Sequence, residues 1–363
     1  MKPQVFSFFS GAGFLDLGFE TSGFEVVAAN EIHKPFADAY SSARMGMRIN
    51  EARFGLDLSS IETYFTSRKI AQLKSQVSEV SREGGVVGFI GGPPCPDFSV
   101  GGKNAGGTGE NGRLSTSYID LIIKVKPQFF LFENVKGLWR TEKHRAFYEK
   151  LKRGLVRAGY SLSERLINSI EYGAPQDRDR IILIGMLGAS KDFDISSRQW
   201  LKRCSHNREE VFAMPWPVAE TPRKDRLIPD GIAPELTVQF WFDKNKVASH
   251  PNAQDSFKPR AGLQRFTLTL EGDVSRKSYK RLHRWRYSPT AAYGNNEVHI
   301  HPWENRRISV AEALAIQSLP SEFALPHAMT LSDKFKAIGN GVPFLAAQGL
   351  AKTVADAIRR EQR

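Results

Sequence analysis

Cys95 lies in Phe89-Ile90-Gly91-Gly92-Pro93-Pro94-Cys95-Pro96-Asp97-Phe98-Ser99, a loop stiffened by three prolines directly after an apolar run. A thiol attacks only as its thiolate, and at an unperturbed pKa of about 8.5 just a few per cent is ionised near neutrality. Such a nucleophile needs a substrate that is itself made electrophilic. Taken alone, the segment reads more readily as a turn in which Gly91 and Gly92 allow the bend and Cys95 is a small buried filler. Two further segments carry groups that suit a reaction centre. Glu133 follows the apolar run Gln128 to Phe132, where a carboxyl group could act as an acid. Arg178 and Arg180 sit two residues apart on an extended segment, a spacing that sends both to one side.

The elements that would carry these residues alternate. Val5 to Phe9 is a strand, Ser10-Gly11-Ala12-Gly13 a glycine turn, and Phe14 to Glu20 a helix. A turn of this kind lets backbone N–H groups and a helix N-terminus approach a ligand, although many glycine turns only close a βα unit. Glu25 to Ala29 is a second strand, with Glu31 just beyond its tip, where an acid can accept hydrogen bonds from ribose hydroxyls. Asp57 sits at the end of a third strand, and Ile61 to Arg82 has the spacing of an amphipathic helix. Val86 to Ile90 is a buried strand that delivers Cys95 at its carboxyl end, where open α/β sheets place their ligands. Gly101 to Gly112 holds six glycines and suits either a closing flap or a connector. A helix is expected near Phe147 to Ala158 and a strand over Ile181 to Ile184.

Beyond about residue 190 the rhythm stops. Within this irregular region, Ser275 to Arg286 holds six Lys or Arg and no acid, namely Arg276, Lys277, Lys280, Arg281, Arg284 and Arg286, with Tyr279, His283 and Trp285 interleaved. Basic side chains of this kind track phosphates while aromatic groups meet bases. Periodicity returns at Ser309 to Leu319, where Ser309 and Glu312 fit a capping box. The chain closes with Phe335 to Pro343 and a helix from about Phe344 to Arg359. The expected architecture is α/β, a Rossmann-like doubly wound sheet formed by 1–190 and completed by 329–363, with a smaller irregular domain over 191–328.

The chain has 363 residues, is 41% hydrophobic and carries a formal net charge of +12, so nucleic acid is the first partner to consider. Its two cysteines, Cys95 and Cys204, offer neither a metal-ligand spacing nor a disulfide framework, and no metal is expected. Met1-Lys2-Pro3-Gln4 leads into a strand without an export signal, and no apolar run of about 18 residues occurs. The expectation is a cytoplasmic protein.

In order along the chain these segments resemble the motif set of the DNA (cytosine-5) methyltransferases, over nearly everything except roughly 190 to 275. Phe9-Ser10-Gly11-Ala12-Gly13 resembles the family's S-adenosyl-L-methionine loop, and Glu31 and Asp57 match the acids that hold the cofactor's ribose and adenine. Pro94-Cys95 matches the nucleophile loop, Glu133-Asn134-Val135 the acidic motif, and Gln176, Arg178 and Arg180 the Gln-x-Arg-x-Arg motif. Arg307 to Leu319 and Gly339-Asn340-Gly341-Val342-Pro343 resemble the last two motifs. The resemblance implies methyl transfer to carbon 5 of a flipped cytosine in a specific double-stranded DNA sequence, through a covalent adduct of Cys95 with carbon 6. It implies Glu133 as the acid at N3, Arg180 at the base O2, and Arg178 organising the adjoining phosphate and carboxylate. Ile32, Pro94, Asn340 and Val342 would join the cofactor site, and Ser99, Gln176 and the basic strip would meet DNA. A separately acting restriction endonuclease and a monomeric chain fit the same reading. A tRNA-directed relative or an inactive DNA-binding protein are the alternatives. The long variable region argues against the first, and intact Cys95, Glu133, Arg178 and Arg180 against the second. Three positions depart from the family pattern: Phe14 replaces a third glycine, Leu56 a glycine before Asp57, and Pro96 a glutamine after Cys95.

Overall fold

The computed structural model describes residues 2–94, 110–189, 194–259, 263–291, 293 and 299–362. Its first half alternates β1 (Gln4–Phe8), α1 (Phe14–Glu20), β2 (Glu25–Asn30), α2 (Lys34–Gly46), β3 (Leu56–Asp57), α3 (Ser67–Arg82), β4 (Val87–Gly91), α4 (Glu110–Val125), β5 (Phe129–Val135), α5 (Glu142–Arg157), β6 (Tyr160–Asn168), β7 (Gln176–Asp177) and β8 (Asp179–Leu187). One seven-stranded sheet has the order β3-β2-β1-β4-β5-β8-β6. It is parallel through β5, and β8 runs antiparallel to both of its neighbours. β1 and β4 are buried at every position, as expected of strands covered on both faces by helices. The segment joining β6 to β8 is too short for a crossover helix, so β8 returns antiparallel. That reversal brings the start of β8 to the sheet edge where the parallel strands end.

Several boundaries differ from the sequence expectation. The single helix expected from Ile61 to Arg82 is a 3-10 turn, Ile61–Phe65, followed by α3, because Thr66 takes an extended conformation and caps the new helix through Lys69 N (3.4 Å). The end of the glycine-rich segment, from Glu110, belongs to α4 rather than to a flap, and 101–109 lies outside the described residues. β5 runs on through Glu133 to Val135, since β8 pairs with it along its whole length.

Among the described residues the later region holds only short elements: α6 (Ser197–Leu201), α7 (Arg208–Ala213), α8 (Val238–Lys244), α9 (Leu263–Leu268), β9 (Lys280–Arg281), β10 (Ser288–Pro289) and β11 (His299–Ile300). Then come α10 (Val310–Ile316), α11 (Leu331–Asn340) and α12 (Phe344–Glu361). The expected capping box forms at α10, with Glu312 N donating to Ser309 Oγ (3.2 Å) and Ser309 N to Glu312 Oε2 (2.7 Å). Phe14, Leu17 and Phe36 share one core with Trp241, Phe242, Leu314 and Phe335. α12 crosses α1 so closely that a Cβ at Gly18 would lie 2.4 Å from Ala347 Cβ.

Candidate active site

At the end of β1 the backbone turns through left-handed conformations at Phe9 (φ 55°), Gly11 (φ 56°) and Gly13 (φ 85°). Glycine is needed at 13 for space as well, because a Cβ there would sit 2.4 Å from Arg44 Nη1. Arg44 lies over the Tyr40 ring (3.6 Å) and pairs with Glu20 (2.8 Å). Tyr40 OH and Ser7 Oγ both donate to Asp16, at 2.9 and 2.7 Å. Burial raises the Asp16 carboxyl and pushes Glu20 up to about 7, against the pull of Arg44. This polar cluster under the glycine turn was not read from the sequence. Its signals were an acid inside the apolar stretch Phe14 to Phe19 and a Tyr–Arg pair one helical turn apart.

Glu31 accepts from the backbone N–H groups of Gly11 (2.9 Å) and His33 (2.8 Å), tying the tip of β2 to the turn after β1. Burial raises its pKa. Asp57 accepts from Ser59 N (2.9 Å) and from Lys69 Nζ. Burial pushes the Asp57 carboxyl up, but the hydrogen bonds from Lys69 and Ser59 outweigh it and hold the group at about 2. Directly after each acid stands an exposed apolar side chain, Ile32 (62% exposed) and Leu58 (48%). Leu58 was not anticipated. At the other end of the chain, Asn340 is exposed and Val342 buried. A Cβ at Gly341 would lie 2.1 Å from the Phe14 ring, so the phenylalanine standing in place of a third glycine packs against the closing motif. Phe14 also meets Phe323 edge-on at 5.1 Å.

Glu133 and Arg180 are diagonal neighbours across β5 and β8, because Glu133 faces Ile182 and Val135 faces Arg180. Arg180 Nε lies 2.7 Å from Glu133 Oε1, and both side chains are largely buried. The other carboxylate oxygen lies against the Gly92 backbone, where a Cβ would be 2.6 Å from Glu133 Oε2. Asn134 Nδ2 reaches the Pro93 carbonyl at 3.5 Å. The acid and its guanidinium are thus fixed beside the strand that leads to Pro94, which is exposed, and on to Cys95. Cys95 and Ser99 themselves lie outside the described residues.

The two arginines do not face one side as alternation implied. The strand is interrupted between β7 and β8 at Arg178, which is buried and donates through Nη1 to Ala291 O (3.1 Å) and through Nη2 to Gly339 O (2.8 Å). Burial, together with repulsion from Arg180, holds its pKa well below the usual arginine range. Gln176 is buried too, accepting from Ala291 N (3.2 Å) and donating to Gln317 Oε1 (3.4 Å). Arg178 and Gln176 therefore join the β7–β8 segment to the 291 and 317–339 segments, and neither is exposed to a phosphate or a groove.

The basic strip also divides. Arg276 and Lys277 are exposed, and Lys280 and Arg286 are half-buried. Arg281 and Arg284 are 0% and 2% exposed. Arg281 donates to the carbonyls of Thr269 (2.8 Å), His301 (2.8 Å) and Glu304 (2.9 Å) and to Phe266 O. Arg284 pairs with the fully buried Glu271 (2.8 Å) and lies over the Trp303 ring (4.1 Å). These two cannot track phosphates, because their guanidinium groups are spent inside the fold. Among the described residues no group of His, Cys, Asp or Glu is placed to hold a metal ion, and no helix is long and apolar enough to cross a membrane.

This arrangement has known counterparts. The family model for C-5 cytosine-specific DNA methylases matches residues 4–356. The type II methyltransferase M.NmeDI of Neisseria meningitidis serogroup C is 57% identical over 353 residues, covering 97% of this chain and 83% of that protein. M.FnuDI of Fusobacterium nucleatum, also a type II methyltransferase, is 29% identical and covers 99% and 96%. Among solved structures, a prophage-encoded E. coli protein (TM-score 0.68, 23% identity, covering 98% and 99%) and the S. pombe Dnmt2 methyltransferase (TM-score 0.63, 12% identity, covering 99% of each) share the fold. With a family match running almost from end to end and a relative identical at more than half of the aligned positions, the chain belongs to the C-5 cytosine-specific DNA methylases.

Proposed function

We propose that the chain methylates carbon 5 of cytosine within a specific double-stranded DNA sequence, as the modification methylase of a restriction-modification pair. The observation that carries this is the Glu133–Arg180 pair, set over Gly92 beside the strand that leads to Cys95. Carbon 5 of cytosine is a poor nucleophile. A Cys95 thiolate adding at carbon 6 forms the S–C6 bond and pushes an electron pair toward N3, where Glu133 supplies a proton or a hydrogen bond. Arg180 holds Glu133 in place and contacts the base O2. The resulting enamine carbon takes the methyl group, the carbon 5 proton leaves to water, and the S–C6 bond breaks to free Cys95. The base must first leave the duplex stack, at a cost of a few kcal/mol offset by protein contacts to the strand.

S-adenosyl-L-methionine supplies the electrophilic methyl group when bound. Glu31 and Asp57 offer acceptors to its ribose and adenine, Ile32 and Leu58 offer apolar faces left exposed beside those acids, and Phe9, Gly11 and Gly13 shape the turn. Pro94, Asn340 and Val342 complete the surroundings. The target-recognition region lies within 191–328. A cytoplasmic monomer, with any endonuclease acting separately, suits this reading.

The test is transfer of labelled methyl from the cofactor to duplex DNA. Cys95→Ser is expected to abolish transfer while leaving DNA and cofactor binding in place. Full activity in that variant would overturn the mechanism, and labelling of tRNA in place of duplex DNA would overturn the substrate.

A further inference from the structure

Asp179 stands between Arg178 and Arg180, and the reaction chemistry makes no use of its carboxylate. The ladders pair Val135 with Arg180 and Asn168 with Asp179, so Asp179 opens β8 just past the end of β5, level with Lys136. Its side chain gathers three segments. Lys136, next after β5, lies 2.9 Å from Oδ2, Arg208, which opens α7, lies 2.9 Å from Oδ1, and Asn168, which ends β6, donates to Oδ1 at 3.0 Å. Burial pushes the carboxyl up, but the hydrogen bonds from Lys136 and Asn168 and the charge of Arg208 outweigh it and hold the group below its ordinary value. The carbonyl of the same residue has a second use. Arg180 Nη1 donates to it at 2.8 Å, while Arg180 Nε lies 2.7 Å from Glu133 Oε1. Asn168, fully buried, also holds the turn before β8, donating to Asp177 Oδ1 (2.7 Å) and accepting from Arg178 N (3.3 Å).

We infer that Asp179 is a positioning residue for methyl transfer, its carboxylate pinning the first residue of β8 to Lys136 and Arg208 so that the Arg180 guanidinium meets Glu133. This role rests on the proposed activity and adds to it a link between the irregular region and the acid. Arg180 takes its bearing from the backbone at 179, so a drift of that residue is carried to the Glu133 pair. Lys136, Arg180 and Arg208 all converge on Asp179. Without its charge the three cations repel one another, and the ends of β5 and β8 are no longer drawn together. A carboxylate repels phosphate, and its oxygens are already taken by three donors, so Asp179 acts through Arg180 and not on DNA. The irregular region enters through Arg208. α7 is seated by Val211 against Ile170 and Leu236, and Arg208 lies over the Phe212 ring at 5.6 Å. A shift of α7 therefore reaches Glu133 by way of Asp179.

The experiment measures single-turnover methyl transfer from labelled S-adenosyl-L-methionine to duplex DNA, both at saturation, for the full chain and for Asp179→Asn, Arg208→Gln and the double variant. Asp179→Asn keeps the size of the side chain and removes its charge. The expected result is a rate about tenfold below wild type in Asp179→Asn, with cofactor affinity by calorimetry unchanged, since small displacements at the reacting groups slow chemistry without weakening binding. Arg208→Gln alone should run about threefold slow and cost nothing further in the Asp179→Asn background, because residues that act through one another do not add. An unchanged rate in Asp179→Asn overturns the role, as does an Arg208→Gln loss that persists in full in that background. Should Asp179→Asn fail to fold, seen as lost cofactor binding, Arg208→Gln and Lys136→Gln decide, since Arg208 is half-buried and Lys136 exposed. A slower rate in either then upholds the role, and wild-type rates in both overturn it. A wild-type chain that methylates no DNA would overturn the proposed activity, and this role with it. A wild type that methylates duplex DNA while Asp179→Asn keeps its rate overturns the role alone.

Discussion

Glu133 is fixed from two directions, by Arg180 at 2.7 Å on one oxygen and by the Gly92 backbone against the other. That contact gives Gly92 a role its place in a proline-rich turn does not suggest: it leaves room for the carboxylate. A Cβ there would crowd Glu133 Oε2 at 2.6 Å while the Glu133 carbonyl oxygen stands at an ordinary 3.7 Å, so the tip of the side chain gives way and the backbone stays in place. Gly92→Ala should therefore keep its thermal unfolding temperature within a degree or so yet lose about ten- to a hundredfold in single-turnover methyl transfer, since displacements of about 1 Å cost that much. Single-turnover rates with labelled cofactor would show it, and an unchanged rate would mean that the carboxylate position is not critical. Asp57 is different in kind. Held at about 2, it stays ionised throughout the neutral range and offers a constant acceptor.

At the level of elements, the antiparallel return of β8 decides the geometry of the acid. Had β8 run parallel, Arg180 would begin at the opposite edge of the sheet from Glu133. The same level explains the basic strip. β9 and the turn after it run through the interior of the irregular region, so Arg281 and Arg284 are consumed as internal hydrogen-bond hubs in a region whose described residues form no long helix or strand. Removing one partner of a buried pair leaves the other charge uncompensated, which costs about 3–5 kcal/mol. Arg284→Met should therefore destabilise the chain by about that amount in urea unfolding, because Glu271 is fully buried. A stability equal to wild type with weakened DNA binding would instead restore the phosphate-tracking role.

Across the whole molecule, the irregular region is not a separate ball joined by a linker. Trp241, Phe242 and Leu314 share a core with α1 and α2, so the irregular region and the glycine turn after β1 rest on one scaffold. The net charge of +12 then acts through exposed cations alone. Removing one cation from a DNA phosphate lowers the salt slope by about one. Arg276→Ala/Lys277→Ala should thus reduce the slope of log affinity against log salt by about two and weaken binding to all sequences evenly. Fluorescence anisotropy across a salt series measures it, and an unaltered slope would remove both residues from the DNA surface.

The order of strands and turns, the acids at strand tips and the capping box at Ser309 were legible in the sequence, because each depends on residues close together along the chain. Periodicity and glycine or proline placement act over a few residues, and the sheet rules do the rest. What each polar side chain does once the chain closes on itself was not legible. Arg178 and Arg180 look alike in sequence, yet one holds Ala291 and Gly339 and the other holds Glu133. Arg276 and Arg281 likewise belong to one basic run, and only one reaches the surface. Partners such as Arg44 for Glu20, Gly341 for Phe14 and Gly92 for Glu133 come from other elements or the far end of the chain. The sequence by itself determined the kind of chemistry and the sheet that carries it. Only the tertiary structure decided which charges face a ligand and which are spent inside, because burial and hydrogen bonding are properties of the closed fold.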